Sequence, residues 1–145
     1  RKENAKKITY PYQGLTCQNY KATYGDKLKP DIVLVLRRNN NETIYEIDLR
    51  IRDKVVDGVI YGFERIKKES IKVTAAQIEI DLSPVDGWYE LGGDYASTDD
   101  IIFGRSSLKL VYDSYWDYQC KKADYQYLYD FVKNHNSSIT DKNKI

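Results

Sequence analysis

One stretch, Lys29 to Ile51, constrains the fold of this chain more than any other: KPDIVLVLRRNNNETIYEIDLRI. Ile32 to Leu36 is an unbroken aliphatic run between polar residues, the pattern of a strand buried on both faces. Thr43 to Ile51 then alternates, with Tyr45, Ile47, Leu49 and Ile51 on one face and Glu46, Asp48, Arg50 and Arg52 on the other. The Asn-rich segment Arg38 to Glu42 joins the two. A hairpin with an apolar face and a charged face is the expected unit.

The period changes beyond it. Val56, Val59 or Ile60, Phe63 and Ile66 recur at helical spacing, so a helix is expected within Val55 to Ser70, its start delayed by Gly58 and Gly62. Val73 to Leu82 reads as a third strand, with Ile78, Ile80 and Leu82 facing the core and Glu79 and Asp81 opposite. Ser83-Pro84 ends it, and the Gly-rich segment 85–98 reads as loop. Asp99 to Tyr112 suits a strand or hairpin, Tyr125 to Lys133 a helix, and Ile8 to Tyr24 a short strand with or without a loop. Strand, turn, strand, helix, strand is an α/β or α+β order. It predicts a mixed sheet built from a hairpin, a crossover helix and a third strand, with a loop-rich C-terminal part. One domain is expected over 1–135 and a flexible tail over 136–145.

Composition narrows the function classes. Among 145 residues, 23 basic side chains face 22 acidic ones, so no overall basic balance argues for nucleic acid. Tyrosine is abundant, at 14 residues, and suits both half-buried strands and recognition surfaces. No Met stands at position 1, so a fragment or a processed chain is expected. No stretch has the length of a transmembrane helix, and none reads as a signal peptide. Cys17 and Cys120 belong to no C-x-x-C pair, and the one histidine, His135, lies near the end, which disfavours a Cys/His zinc site. The two cysteines are either packed free thiols, as in a cytoplasmic protein, or one bridge, as in a secreted one. Asn41-Glu42-Thr43 and Asn136-Ser137-Ser138 match the glycosylation triplet.

The order KPDIVLVL, TIYEIDLRI, ERIKKESIKVTAAQIEIDLS resembles the core of the PD-(D/E)xK nuclease superfamily, closest to its competence-protein CoiA-like branch. The resemblance covers Lys29 to Ser83. It implies a restriction-endonuclease-like core that hydrolyses DNA or RNA with Mg2+ or Mn2+. Asp31 then matches the metal-binding Asp, and Glu46 matches the second acidic position, with Glu79 its rival. Asp48 stands where the family usually has Lys (Asp81 on the rival strand) and would add a metal ligand. Lys67 or Lys68 would supply the migrated Lys that touches phosphate. The departure at Asp48 also allows a form that keeps the fold and has lost catalysis, leaving a module that binds nucleic acid or protein.

The chemistry fits such a site under one condition. Divalent cations activate water and stabilise the phosphoryl transition state, and magnesium takes oxygen ligands. Asp31, Glu46 and Asp48 share a face only if Asp31 lies opposite Asp48, and a one-residue slip separates them. Two carboxylates about 4 Å apart repel by roughly 4 kcal/mol at an effective dielectric near 20. Converging acids therefore need a cation or a basic partner, for which Arg50 and Arg52 are the expected residues. Without a metal the same face is a ladder of alternating charge. The competing function is a secreted, Tyr-rich, β-containing recognition domain with a Cys17–Cys120 disulfide, glycans at Asn41 and Asn136, and no enzymatic activity.

Overall fold

The computed structural model describes residues 12–19, 32–40, 43–51, 55–60, 62–84, 100–114 and 116–142. The expected hairpin is present. Strand β2 is Ile32–Arg38 and strand β3 is Ile44–Ile51, paired antiparallel. The rest departs from an α/β core. Strand β1 (Tyr12–Gln18) pairs with β2, and the segment after β3 forms β4 (Val55–Val56), β5 (Val59–Ile60) and β6 (Glu64–Ile66). A 3-10 turn, Lys68–Ser70, leads into β7 (Ile71–Val73). Then come β8 (Gln77–Asp81), β9 (Asp100–Gly104), β10 (Lys109–Tyr112), β11 (Trp116–Ala123) and one helix, α1 (Tyr125–Lys142).

Nine strands form one sheet in the order β6-β3-β2-β1-β11-β10-β9-β8-β7, with β4 and β5 a separate hairpin. Every pairing is antiparallel. Strands β6 and β7 stand at opposite ends of that order yet follow each other in the chain through the 3-10 turn, and β7 comes beside β3. The sheet thus curls into a nearly closed barrel with one helix outside it. This replaces the expected mixed sheet with a crossover helix: among the described residues no α-helix lies between β3 and β8.

The physical reason sits at Asp57-Gly58. Both residues have positive φ, 53° and 83°, the left-handed conformation that a two-residue hairpin turn requires. Val55 and Val56 pair with Ile60 and Val59 across it. Asp-Gly between β-branched residues is a hairpin signal, and it outweighs the helical spacing of the apolar positions.

The barrel interior is one apolar cluster. Leu15 and Cys17 of β1, Ile32, Leu34 and Leu36 of β2, and Ile47, Leu49 and Ile51 of β3 belong to it. Ile78, Ile80 and Leu82 join it as the alternation requires, with Phe103, Leu110 and Tyr118 from the following strands. A β-bulge interrupts the alternation: Arg37 lies opposite Glu46 but Arg38 opposite Ile44. The extra residue, Tyr45, leaves the expected core-facing row and becomes a hydrogen-bond partner of Arg37, while Ile44 turns inward.

Strands β1 and β11 close the meander, and Cys17 faces Cys120 across them in a disulfide. Both cysteines are buried in the interior cluster. Helix α1 starts where Asp124 caps it, the Asp124 carboxylate accepting the Gln126 N–H at 2.9 Å. It extends through Lys142, so 136–142 continues the helix where a flexible tail was expected. Gly14 lets its first turn cross β1 closely: a Cβ there would stand 2.6 Å from the Ala123 carbonyl and 2.8 Å from Leu128 Cδ1.

The disulfide closes a loop of 103 residues. Replacing both cysteines by Ser is expected to cost about 2–5 kcal/mol in urea unfolding. A double variant as stable as the parent would show that strand pairing alone holds the closure.

Candidate functional site

The charged face of β3 lies on the outside of the barrel, beneath α1. Val33 and Val35 of β2 point to the same side and form a second apolar cluster with Leu128 of α1, packed by Tyr12, Phe63, Tyr125 and Tyr129. Asp48 and Arg50 are buried there, only 3 % and 6 % exposed. They sit in a seam between barrel and helix, where a charge must be paired.

Asp48 is saturated by its neighbours. Arg65 stands directly opposite it on β6, and its Nε donates to Oδ1. Arg37, opposite Glu46 on β2 and two residues beyond Val35, donates from Nη1 to Oδ2 at 3.3 Å. The Tyr129 hydroxyl, reaching down from α1, donates to the same oxygen. Glu46 completes the balance, 3.2 Å from Arg65 Nη1 and 3.8 Å from Arg37 Nε. Two carboxylates and two guanidiniums neutralise one another. Tyr12 accepts a hydrogen bond from Arg37 Nη2 at 3.2 Å and also lies under its guanidinium. The Arg50 guanidinium lies over the rings of Phe63 and Phe131, at 5.2 and 5.8 Å.

Electrostatics follow from this packing. Burial raises the Tyr129 phenol well above the usual tyrosine range, and the bond to the Asp48 carboxylate raises it further. The hydrogen bond to Asp48 raises Arg65, against a smaller opposing effect of burial.

Of the expected metal set, Glu46 and Asp48 fall among the described residues. Asp31 lies outside the described residues, as does Arg52. The register sets Val35 opposite Asp48. Glu46 and Asp48 do lie together, but each faces guanidinium groups, and those donors occupy the positions a cation would need. As paired here, Glu46 and Asp48 by themselves do not fit Mg2+ or Mn2+. Among the described residues, no group of three His, Cys, Asp or Glu is placed to hold a metal. Lys67 and Lys68 are exposed on the connection from β6 to β7, not on a helix beside Asp48. Glu79 and Asp81 face outward on β8, Glu79 opposite Lys72 and Asp81 opposite Asp100. They line an open cleft of about 350 Å³ with Glu69.

The sequence reading missed Arg37, Arg65 and Tyr129. Arg37 and Arg65 are basic residues that fall opposite acidic ones once the true strands are drawn. Tyr129 carried a weaker signal, one position beyond Leu128 on the inward face of α1. At the other end of that helix, Asn136 bonds both backbone groups of Ile60, accepting from N at 2.9 Å and donating to O at 3.0 Å. His135 Nε2 lies 2.9 Å from the Gly58 carbonyl. The Asn136 amide is therefore committed to the β5 backbone and is not a free glycan acceptor. Asn41 lies outside the described residues.

Comparison with family models, with curated proteins and with solved structures finds no match to this chain.

Asp48→Ala is expected to cost about 3 kcal/mol, the low end for breaking a buried pair, because Arg65 remains 44 % exposed and can turn to water. Glu46→Gln should cost less than about 1 kcal/mol, as for a surface pair. Denaturant unfolding separates the two, and equal losses would contradict the assignment. Alkaline pH gives a second check. The neutral Tyr129 phenol is favoured in the folded state, so its contribution is complete below the unfolded tyrosine value of about 10 and declines as pH rises beyond it. Tyr129→Phe should shrink the loss of stability between about pH 10 and 11 relative to the parent. An unchanged slope would place the phenol in water.

Proposed function

We propose that this chain is a non-enzymatic recognition domain of an oxidising compartment, stabilised by the Cys17–Cys120 disulfide. The observation that carries this reading is the saturation of Asp48. The acidic strand that most resembled a catalytic site spends its carboxylate on Arg37, Arg65 and Tyr129. A bridged cysteine pair buried in the barrel supports the secreted alternative over the cytoplasmic one. Among the described residues no helix is long and apolar enough to cross a membrane. A stiff antiparallel barrel with aromatic side chains left outside suits surface recognition. Among the described residues, Trp116, Tyr127 and Phe131 are the exposed aromatics, at 41 %, 64 % and 36 %. Aromatic residues anchor protein interfaces more than most other types.

Thiol titration of the unfolded chain without reductant, joined to calorimetry with Mn2+ and a DNA-cleavage assay, tests the reading. No free thiol, no saturable metal binding and no cleavage are expected. Two free thiols would remove the compartment, and metal-dependent cleavage lost in Glu46→Ala would restore the nuclease.

A further inference from the structure

The two apolar clusters divide the molecule. Among the described residues, the interior cluster takes buried side chains from β1, β2, β3, β6 and β8 through β11 and none from α1. Helix α1 meets the outer face and the β4–β5 hairpin, and Leu128 is its one side chain in the buried set among the described residues. Its other contacts are aromatic, Tyr125 on Tyr12, Tyr129 on Phe63 and Phe131 under Arg50, and polar, Tyr129 to Asp48, His135 to Gly58 and Asn136 to Ile60. The chain passes from Ala123 at the end of β11 to Tyr125 at the start of α1 through Asp124 alone. Lifting α1 therefore breaks no strand pairing and leaves the interior cluster intact.

What α1 covers has the form of a helix-binding groove. Val33 and Val35, both at 0 % exposure, form the floor, and Tyr12, Arg37, Asp48 and Arg50 border it. The matching helix presents aromatic and aliphatic residues in the order Tyr125, Leu128, Tyr129, which is the i, i+3, i+4 spacing of groove-binding helices. We propose that α1 is a releasable strap: it lifts off as a unit from a barrel that stays folded, and the groove it uncovers takes the α1 helix of a second copy of this chain. The partner follows from complementarity, since an exchanged α1 restores every contact that the resident helix makes. Each copy then gives a helix and receives one, a two-fold arrangement. Docking within one chain dominates in dilute solution because the tether keeps the effective concentration of α1 high. This inference is independent of the recognition reading: it needs only the division between barrel and helix.

Two measurements on the full chain decide it. In native-state hydrogen exchange, the amides of α1 and of Ile60 are expected to open together, in a step below the global one, while β1, β2 and β11 keep their protection. Exchange of helix and barrel in a single step would overturn the proposal. The second measurement is fluorescence anisotropy of a labelled peptide of residues 124–142 added to full-length Tyr129→Phe. The peptide carries the phenol that this resident helix lacks, so it is expected to bind about tenfold or more tightly than to the parent chain. Asn136→Ala weakens the far end of the strap in the same way and serves as the second variant. No binding to either variant, or equal binding to both variants and the parent, would overturn the proposal.

Discussion

Strand β1 must pair with β11, and the whole architecture depends on that closure. Every other neighbouring pair in the nine-stranded sheet is joined by a local connection or a short excursion. The pairing of Gly14–Gln18 with Gln119–Ala123 instead joins opposite ends of the described chain. It decides which side chains face inward. With β1 held between β2 and β11, Leu15, Leu34 and Leu49 fall into one apolar interior. Their alternates, Val33, Val35, Asp48 and Arg50, fall on a second face that needs its own cover. The buried Cys17–Cys120 bridge fixes this closure covalently and makes the unfolded chain pay less entropy to find it.

The second face explains the charges. A bare outer wall holding Val33 and Val35 would expose an apolar stripe, and α1 covers it. Covering it also removes water from Asp48, which then needs donors. Arg37 and Arg65 supply charge from the two strands beside β3, and Tyr129 supplies a hydroxyl from the helix itself. The carboxylate thus ties three strands and the helix at one point. Such a cluster adds little net stability over an apolar one, but it specifies how the helix sits, because only one placement of α1 brings Tyr129 to Asp48. The seam stays separate from the interior, since α1 packs on it through Leu128, Tyr125 and Tyr129 without entering the interior cluster.

Parts of this were legible in the sequence. The β2–β3 hairpin, the inward set Ile78, Ile80 and Leu82, and the start of α1 follow from alternation and from the helical spacing of Tyr125 and Leu128. The α/β order did not survive, because Val56, Ile60, Phe63 and Ile66 satisfy helical spacing by chance while Asp57-Gly58 dictates a turn. Tyr45 was misplaced because a bulge inserts one residue without a composition signal. The charged strand was ambiguous for a physical reason. Acidic residues on one face look alike whether they await a cation or a guanidinium, and the guanidiniums of Arg37 and Arg65 meet Asp48 through sheet pairing that the sequence does not display. The resemblance to a nuclease core rested on Pro-Asp and acidic strands in order, and that order is equally available to an antiparallel barrel.

A double-mutant cycle in urea between Asp48→Asn and Tyr129→Phe tests the central claim most directly, that the buried carboxylate holds the helix to the barrel. The account predicts that the two losses are not additive, with a coupling of about 1–3 kcal/mol. Additive losses, with coupling near zero, would mean that Asp48 and Tyr129 act apart and that α1 is held by its apolar contacts alone.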